Sequence, residues 1–139
     1  TGRRRIMRVL DANFLIDYLG GDPAAKAYYE ANGGSDELWV MPAPAHAEAI
    51  VGVGNHPTAD LDRAIEALSW GRIHEVGEEL SIEAARIADE IGPQGPYLNG
   101  VDALVAAVGR ELDAPVVSAD GDLTHEETKR VLDVEEYRG

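Results

Sequence analysis

Short, continuous apolar runs alternate along the chain with longer stretches whose apolar residues recur every three or four positions. Ile6–Leu10 reads as a buried strand, and a helix is expected from Asn13 to Leu19, closed by Gly20 and Gly21. Asp22 and Pro23 suit the N-cap and first position of a second helix, which Gly33 and Gly34 end. "LWVM" (Leu38–Met41) is a second strand, and "APAHAEAIVGVG" (Ala43–Gly54) a helix of small residues. "TADLDRAIEALSW" is amphipathic, with Leu61, Ile65 and Leu68 on one face and Thr58 as the expected cap. "RIHEV" is a third strand, "EELSIEAARIADEIG" a further amphipathic helix, and "GPQGPYL" a loop. "NGVDALVAAVGRELD" predicts a helix with the stripe Val101, Leu104, Val105, Val108 and Leu112. "PVVSAD" is a fourth strand and "VLDVEEY" a fifth.

Strands separated by helices imply right-handed crossovers and an α/β fold: three layers, α/β/α, around a mostly parallel sheet of about five strands. Continuous apolar strands are what a sheet covered on both faces requires. Ligands in such folds bind at the carboxyl ends of the strands, where strand order reverses. Asp11 and Asp120 both follow strands and so fall at that edge.

The length of 139 residues suits a single domain from Met7 to Gly139, with residues 1–6, "TGRRRI", as an extension or remnant. There is no Cys, which excludes disulfides and thiolate metal sites. No apolar run approaches the ~20 residues that span a bilayer, so a soluble cytoplasmic protein without a membrane partner is expected. The charge is unusual: 26 Asp and Glu against 12 Lys and Arg, net −14, with Lys26 and Lys129 the only lysines. A hydrophobic content of 45% with clear periodicity argues against disorder. An acidic, lysine-poor surface around an ordinary core fits a protein adapted to high salt, and its test is stability against KCl.

The acids deserve individual reading. Glu48 is the only Asp, Glu, Lys or Arg between Leu38 and Ala59. A helix so apolar is expected to be mostly buried, where a lone carboxylate is costly unless paired or bound to metal. Asp102 sits at the third position of its helix after the cap Asn99, which suits capping as well as chemistry. Asp120 and Asp122 follow the fourth strand and could be turn residues. Asn13 reads as a helix cap, Ser118 as a residue satisfying a strand-end backbone group, and Asp17 as surface.

Taken together, Asp11, Glu48, Asp102 and Asp120 can converge on one pocket. Clustered carboxylates raise one another's pKa values, and a divalent cation removes that repulsion. All-oxygen ligation selects Mg²⁺ or Mn²⁺ over zinc and points to phosphodiester chemistry. Other chemistries lack their parts. There is no glycine-rich phosphate loop, His46, His56, His74 and His125 lack metal spacing, and Ser118 has no nucleophile elbow.

"VLDANFLIDYL", "MPAPAHAEAI" and "VDALVAAVGRELDAPVVSAD" occur in an order that resembles the PIN-domain family of metal-dependent ribonucleases, and at this size VapC-type toxins of toxin–antitoxin pairs. The resemblance runs from Met7 over almost the entire chain. It implies an Mg²⁺- or Mn²⁺-dependent endoribonuclease using Asp11, Glu48, Asp102 and Asp120, with Asp122 as an additional metal ligand and Asn13 and Ser118 in support. Ala12 departs from the Thr or Ser common in the family, which removes a hydroxyl but no metal ligand. Also implied are an RNA substrate with a structured loop, a homodimer and a small antitoxin covering the acidic pocket. Attack by water rather than by the RNA 2′-hydroxyl would leave a 5′-phosphate and a 3′-hydroxyl.

The net charge of −14 opposes RNA binding, which ordinarily uses a basic footprint. Arg63, Arg72, Arg86 and Arg110 are expected to line the approach. Two rival readings remain at this level. One is an aspartyl phosphatase or phosphotransferase, although Asn13 replaces the second Asp such enzymes want and Lys129 is misplaced for a receiver domain. The other is an RNA- or partner-binding module that kept the fold without turnover.

Overall fold

The computed structural model describes residues 6–138. Five strands, β1 (Met7–Leu10), β2 (Leu38–Pro42), β3 (Arg72–His74), β4 (Val116–Ser118) and β5 (Val134–Glu136), form one sheet in the order β3-β2-β1-β4-β5. Every pairing is parallel, with Val9 opposite both Val40 and Val116. Seven helices are described: α1 (Ala12–Leu19), α2 (Pro23–Ala31), α3 (Ala43–Gly54), α4 (Leu61–Ala67), α5 (Glu78–Ile91), α6 (Gly100–Leu112) and α7 (Glu126–Lys129).

The chain steps from β1 out to β2 and β3, then returns to lay β4 and β5 on the other side of β1. The order therefore reverses between β1 and β4, where a crevice opens at the carboxyl edge. Neighbouring strand residues point to opposite faces. Val9 and Leu10 in β1, and Val116 and Val117 in β4, are all fully buried, so helices cover both faces of the sheet centre. Gly109 lets α6 lie close on β4, since a Cβ there would stand 2.7 Å from Val116 Cγ2 and 3.2 Å from the Ala114 carbonyl oxygen. That approach sets the height of α6, and with it Asp102, above the strand ends.

The fold class and the order of α1 to α6 agree with the sequence reading, which expected no helix at α7, and several further local expectations do not hold. Asn13 does not cap α1; the cap is Asp11, whose side chain accepts from the Phe14 N–H at 2.8 Å, while Asn13 is exposed. Thr58 does not cap α4, because its hydroxyl lies 3.2 Å from His56 Nδ1 and Asp60 accepts from the Arg63 N–H instead. Of the stripe expected on α4, Leu68 is buried but Leu61 and Ile65 are exposed. Strand β3 lies at the sheet edge with Ile73 exposed, which departs from burial on both faces. Helix α3 is not mostly buried either: Ala45 and Ala49 face the core and Glu48 is exposed. Alanine and glycine confer a low-polarity helix without requiring burial, so an absence of charges overstated it.

Arg3, Arg4 and Arg5 lie outside the described residues. No described helix is long and apolar enough to cross a membrane.

Candidate functional site

Asp11 ends β1 and begins α1, and both roles fix its side chain. One oxygen caps the helix through the Phe14 N–H. The other, Oδ2, accepts from Ser118 Oγ at 2.5 Å, from the end of the neighbouring strand β4. The backbone N–H of Asp11 donates to the Val117 carbonyl at 3.3 Å, continuing the ladder to the crevice. Only 1% of Asp11 is exposed, and this burial pushes its carboxyl up to about 6. The hydrogen bonds from Ser118 and Phe14 oppose the rise, and the charges of Asp120 and Asp17 add to it.

Ser118 is fully buried and serves as a bridge: its hydroxyl donates to Asp11 and accepts from the Asp120 N–H at 2.9 Å. Asp120 in turn closes its own turn, Oδ2 accepting from the N–H groups of Asp122 (3.0 Å) and Leu123 (3.1 Å). Thr124 Oγ1 donates to the Asp120 carbonyl at 2.8 Å, and Thr128 Oγ1 to that of Asp122 at 2.7 Å. The segment after β4 is therefore pinned by a run of short bonds, and the turn reading of these acids holds alongside any chemistry.

Asp102 approaches from above, on the first turn of α6. Its N–H donates to the Asn99 cap at 2.8 Å, and its carboxylate is half-buried. Burial raises its pKa to about 7, reinforced by the charges of Asp120, Asp11, Glu48 and Asp122, in that order. Asp102 is thus within electrostatic reach of the other four acids, which come from the end of β1, from α3 and from the turn after β4.

The donor set suits a hard cation: carboxylate oxygens, without the thiolates or grouped imidazoles that favour softer metals. Among the described residues, no group of three or more acidic or imidazole side chains is gathered closely enough to hold a metal ion by itself. Mg²⁺ retains several waters and takes one or two carboxylates directly. Burial first, and then neighbouring carboxylates, raise the pKa values of Asp11 and Asp102, and a divalent ion among them would offset the repulsion.

Three of the four arginines expected at the approach, Arg110, Arg86 and Arg72, lie elsewhere. Arg110 occupies the last turn of α6, about 12 Å along the axis from Asp102, and pairs with Glu90 at 2.9 Å and Glu83 at 3.6 Å. Arg86 shares with it a depression lined by Glu79, Glu83 and Glu111 between α5 and α6. Arg72 is on the edge strand β3, two strands from β1.

Asp17, read from the sequence as surface, is half-buried and engaged. Its Oδ2 accepts from Tyr137 Oη at 2.7 Å and from Arg138 Nη2 at 2.8 Å. The available signal was spacing: Asp17 lies four residues after Asn13, on the same face of α1. Its partners sit 120 and 121 residues away, beyond any local pattern.

The family model for the PIN domain matches residues 8–128. No curated protein matches by sequence. Among solved structures, a chain of a toxin–antitoxin complex from Klebsiella pneumoniae superposes with a TM-score of 0.74 at 19% identity, over 94% of this chain and 97% of that one. A chain of VapBC2 from Rickettsia felis, bound to a DNA fragment from their promoter, gives 0.73 at 16% identity over 94% and 98%. Mycobacterium tuberculosis VapC20, described as a Sarcin-Ricin loop cleaving toxin, gives 0.65 at 16% over 90% and 95%. With the fold and a family match over most of its length in agreement, the chain belongs to the PIN-domain family.

Proposed function

We propose that the protein is an Mg²⁺- or Mn²⁺-dependent endoribonuclease, the toxin of a toxin–antitoxin pair. The observation that carries this reading is the grouping of acids at the carboxyl edge of the sheet: one buried Ser118 hydroxyl joins Asp11 to the Asp120 N–H, and Asp102 on α6 feels the charges of Asp120, Asp11, Glu48 and Asp122. Acids held together at such a cost without a counter-charge are arranged for a cation.

Asp11, Asp102, Asp120 and Glu48 would hold the ion, with Asp122 as an outer contributor. A bound ion supplies charge compensation and Lewis acidity at the scissile phosphate. The chain's own groups do the positioning. Ser118 and the Phe14 N–H fix both oxygens of Asp11, so its rotamer is set before any ligand arrives. The bonds to Asp120 keep its turn rigid. Asn13, exposed two residues after Asp11, would help to orient the substrate. With the ion in place, water would attack the phosphorus in line with the P–O3′ bond, which breaks; the water gives up a proton and the departing 3′-oxygen takes one, leaving a 5′-phosphate and a 3′-hydroxyl.

The toxin reading draws on the solved structures that share the fold, several of which are toxin–antitoxin complexes. An apolar groove between α1 and α3, lined by Ile16, Leu19, Ala49 and Val53, supports a protein partner. Exposed Val51, Leu61 and Ile65 extend the apolar surface of α3 and α4. We assign that partner to a small antitoxin and expect the free toxin to be a homodimer.

The test is incubation of structured RNA with the protein and Mg²⁺ or Mn²⁺, comparing wild type with Glu48→Gln. Metal-dependent cleavage abolished in the variant supports the reading. Equal cleavage by both removes Glu48 from the site, and no cleavage by wild type with any metal overturns the nuclease assignment.

A further inference from the structure

We propose that Tyr97, at the rim of the acidic cleft, stacks on a base of the RNA close to the scissile phosphate and so supplies binding that the acidic surface does not. This inference rests on the nuclease reading and adds to it a substrate contact outside the carboxylates.

Tyr97 stands apart from the other rings of the chain. The remaining phenylalanine, tyrosine and tryptophan side chains form one cluster that runs from Tyr137 through Phe14 to Trp39 and Trp70, with neighbouring ring centroids 4.3–6.1 Å apart. Among the described residues Tyr97 is the one aromatic outside that cluster, and it is 91% exposed.

The loop that carries Tyr97 is fixed on both sides to elements of the site. Before the tyrosine, Gly95 lies so close to α7 that a Cβ there would stand 3.0 Å from Glu127 Cβ and collide with Ile91 Cγ2. Helix α7 is bonded in turn to the acidic turn after β4, Thr128 Oγ1 donating to the Asp122 carbonyl at 2.7 Å. After the tyrosine, Leu98 packs on the core, and the Asn99 side chain accepts the Asp102 N–H at 2.8 Å. Tyr97 is two residues before that cap, and two residues of extended chain span at most about 7 Å. The ring therefore projects from the span that joins α6, with Asp102, to α7 and the turn with Asp120 and Asp122. Pro93 and Pro96 fix their own φ angles within this span. A ring on so restrained a backbone loses little further freedom when it stacks.

The chemistry favours a base as the occupant. The chain carries a net charge of −14, and Arg72, Arg86 and Arg110, expected to attract phosphate, do not serve the cleft. Base–aromatic stacking needs no positive charge, and it accepts any base because each presents a flat π face.

The experiment uses a stem-loop RNA that the wild-type protein cleaves, and compares wild type with Tyr97→Phe, Tyr97→Leu and Tyr97→Ala. Because the ring is exposed, all three variants should keep the wild-type Tm. Tyr97→Ala should raise KM roughly five- to a hundredfold with little change in kcat, as the loss of one base–aromatic stack does. Tyr97→Phe should stay near wild type, and Tyr97→Leu, apolar but not flat, should resemble Tyr97→Ala. Single abasic positions placed along the RNA loop identify the partner base. One of them should weaken binding to wild type while costing Tyr97→Ala nothing further.

Cleavage by wild type with an unchanged KM in Tyr97→Ala overturns this inference alone, as does additivity at every abasic position. Absence of cleavage by wild type with either Mg²⁺ or Mn²⁺ overturns the nuclease reading and this inference with it.

Discussion

The hydroxyl of Ser118 donates to Asp11 Oδ2 at 2.5 Å across two neighbouring parallel strands, joining residues 107 positions apart. Ser118 Oγ also accepts from the Asp120 N–H, so one buried hydroxyl couples the acid after β1 to the acid after β4. Ser118→Ala leaves Asp11 Oδ2 without this donor in a buried site. A loss of about 1–3 kcal/mol is expected, measured by urea unfolding, with a further rise in the Asp11 pKa because the bond from Ser118 lowers it. Unchanged stability would show that water replaces the hydroxyl.

Asp11 combines capping with chemistry, and two substitutions separate them. Asn is a good N-cap, so Asp11→Asn should retain the bond to Phe14 and fold normally while losing at least about a hundredfold in RNA cleavage. Asp11→Ala removes the cap as well and should cost about 1 kcal/mol or more in stability. Comparable cleavage by Asp11→Asn and wild type would return Asp11 to a purely structural role.

The raised carboxyls set a pH dependence whose sign is definite. Asp11 and Asp102 move from 3.8 to about 6 and about 7, so the folded state holds more protons than the unfolded state between those values. Their contribution to stability is complete below 3.8 and is lost as pH rises through 6 and 7. In chelator, Tm should fall across that interval. Asp102→Asn should flatten the fall, stabilising the protein at about pH 8 and having little such effect near about pH 4.

Mg²⁺ should reverse the same loss. Binding to the folded state alone raises Tm by mass action, and the rise should be larger above the pKa of about 7 for Asp102 than below that of about 6 for Asp11. A pH-independent rise would place the ion away from these acids.

Gly109→Ala tests the close approach of α6 to the sheet. Its Cβ would lie 2.7 Å from Val116 Cγ2, which forces the helix outward. A loss of about 1–3 kcal/mol is expected, with cleavage falling further than stability explains because Asp102 moves with the helix. A measured stability gain would mean that Val116 yields and the helix stays in place.

The sequence by itself determined the elements and their type, because periodicity and caps are local properties. Asp22 before Pro23 and Asn99 before Asp102 cap their helices as read. It also put Asp11 and Asp120 at strand ends, and so at the edge where a parallel sheet binds ligands. It misjudged Glu48, whose isolation among small residues suggested burial although the side chain is exposed; proximity to Asp102, not depth, links it to the site. The tertiary structure alone decided the rest. Reversal of strand order between β1 and β4 brings Ser118 onto Asp11, and the end of the chain reaches back to Asp17. Repulsion, burial and hydrogen bonding between carboxylates act across space, and their partners here lie up to 121 residues apart.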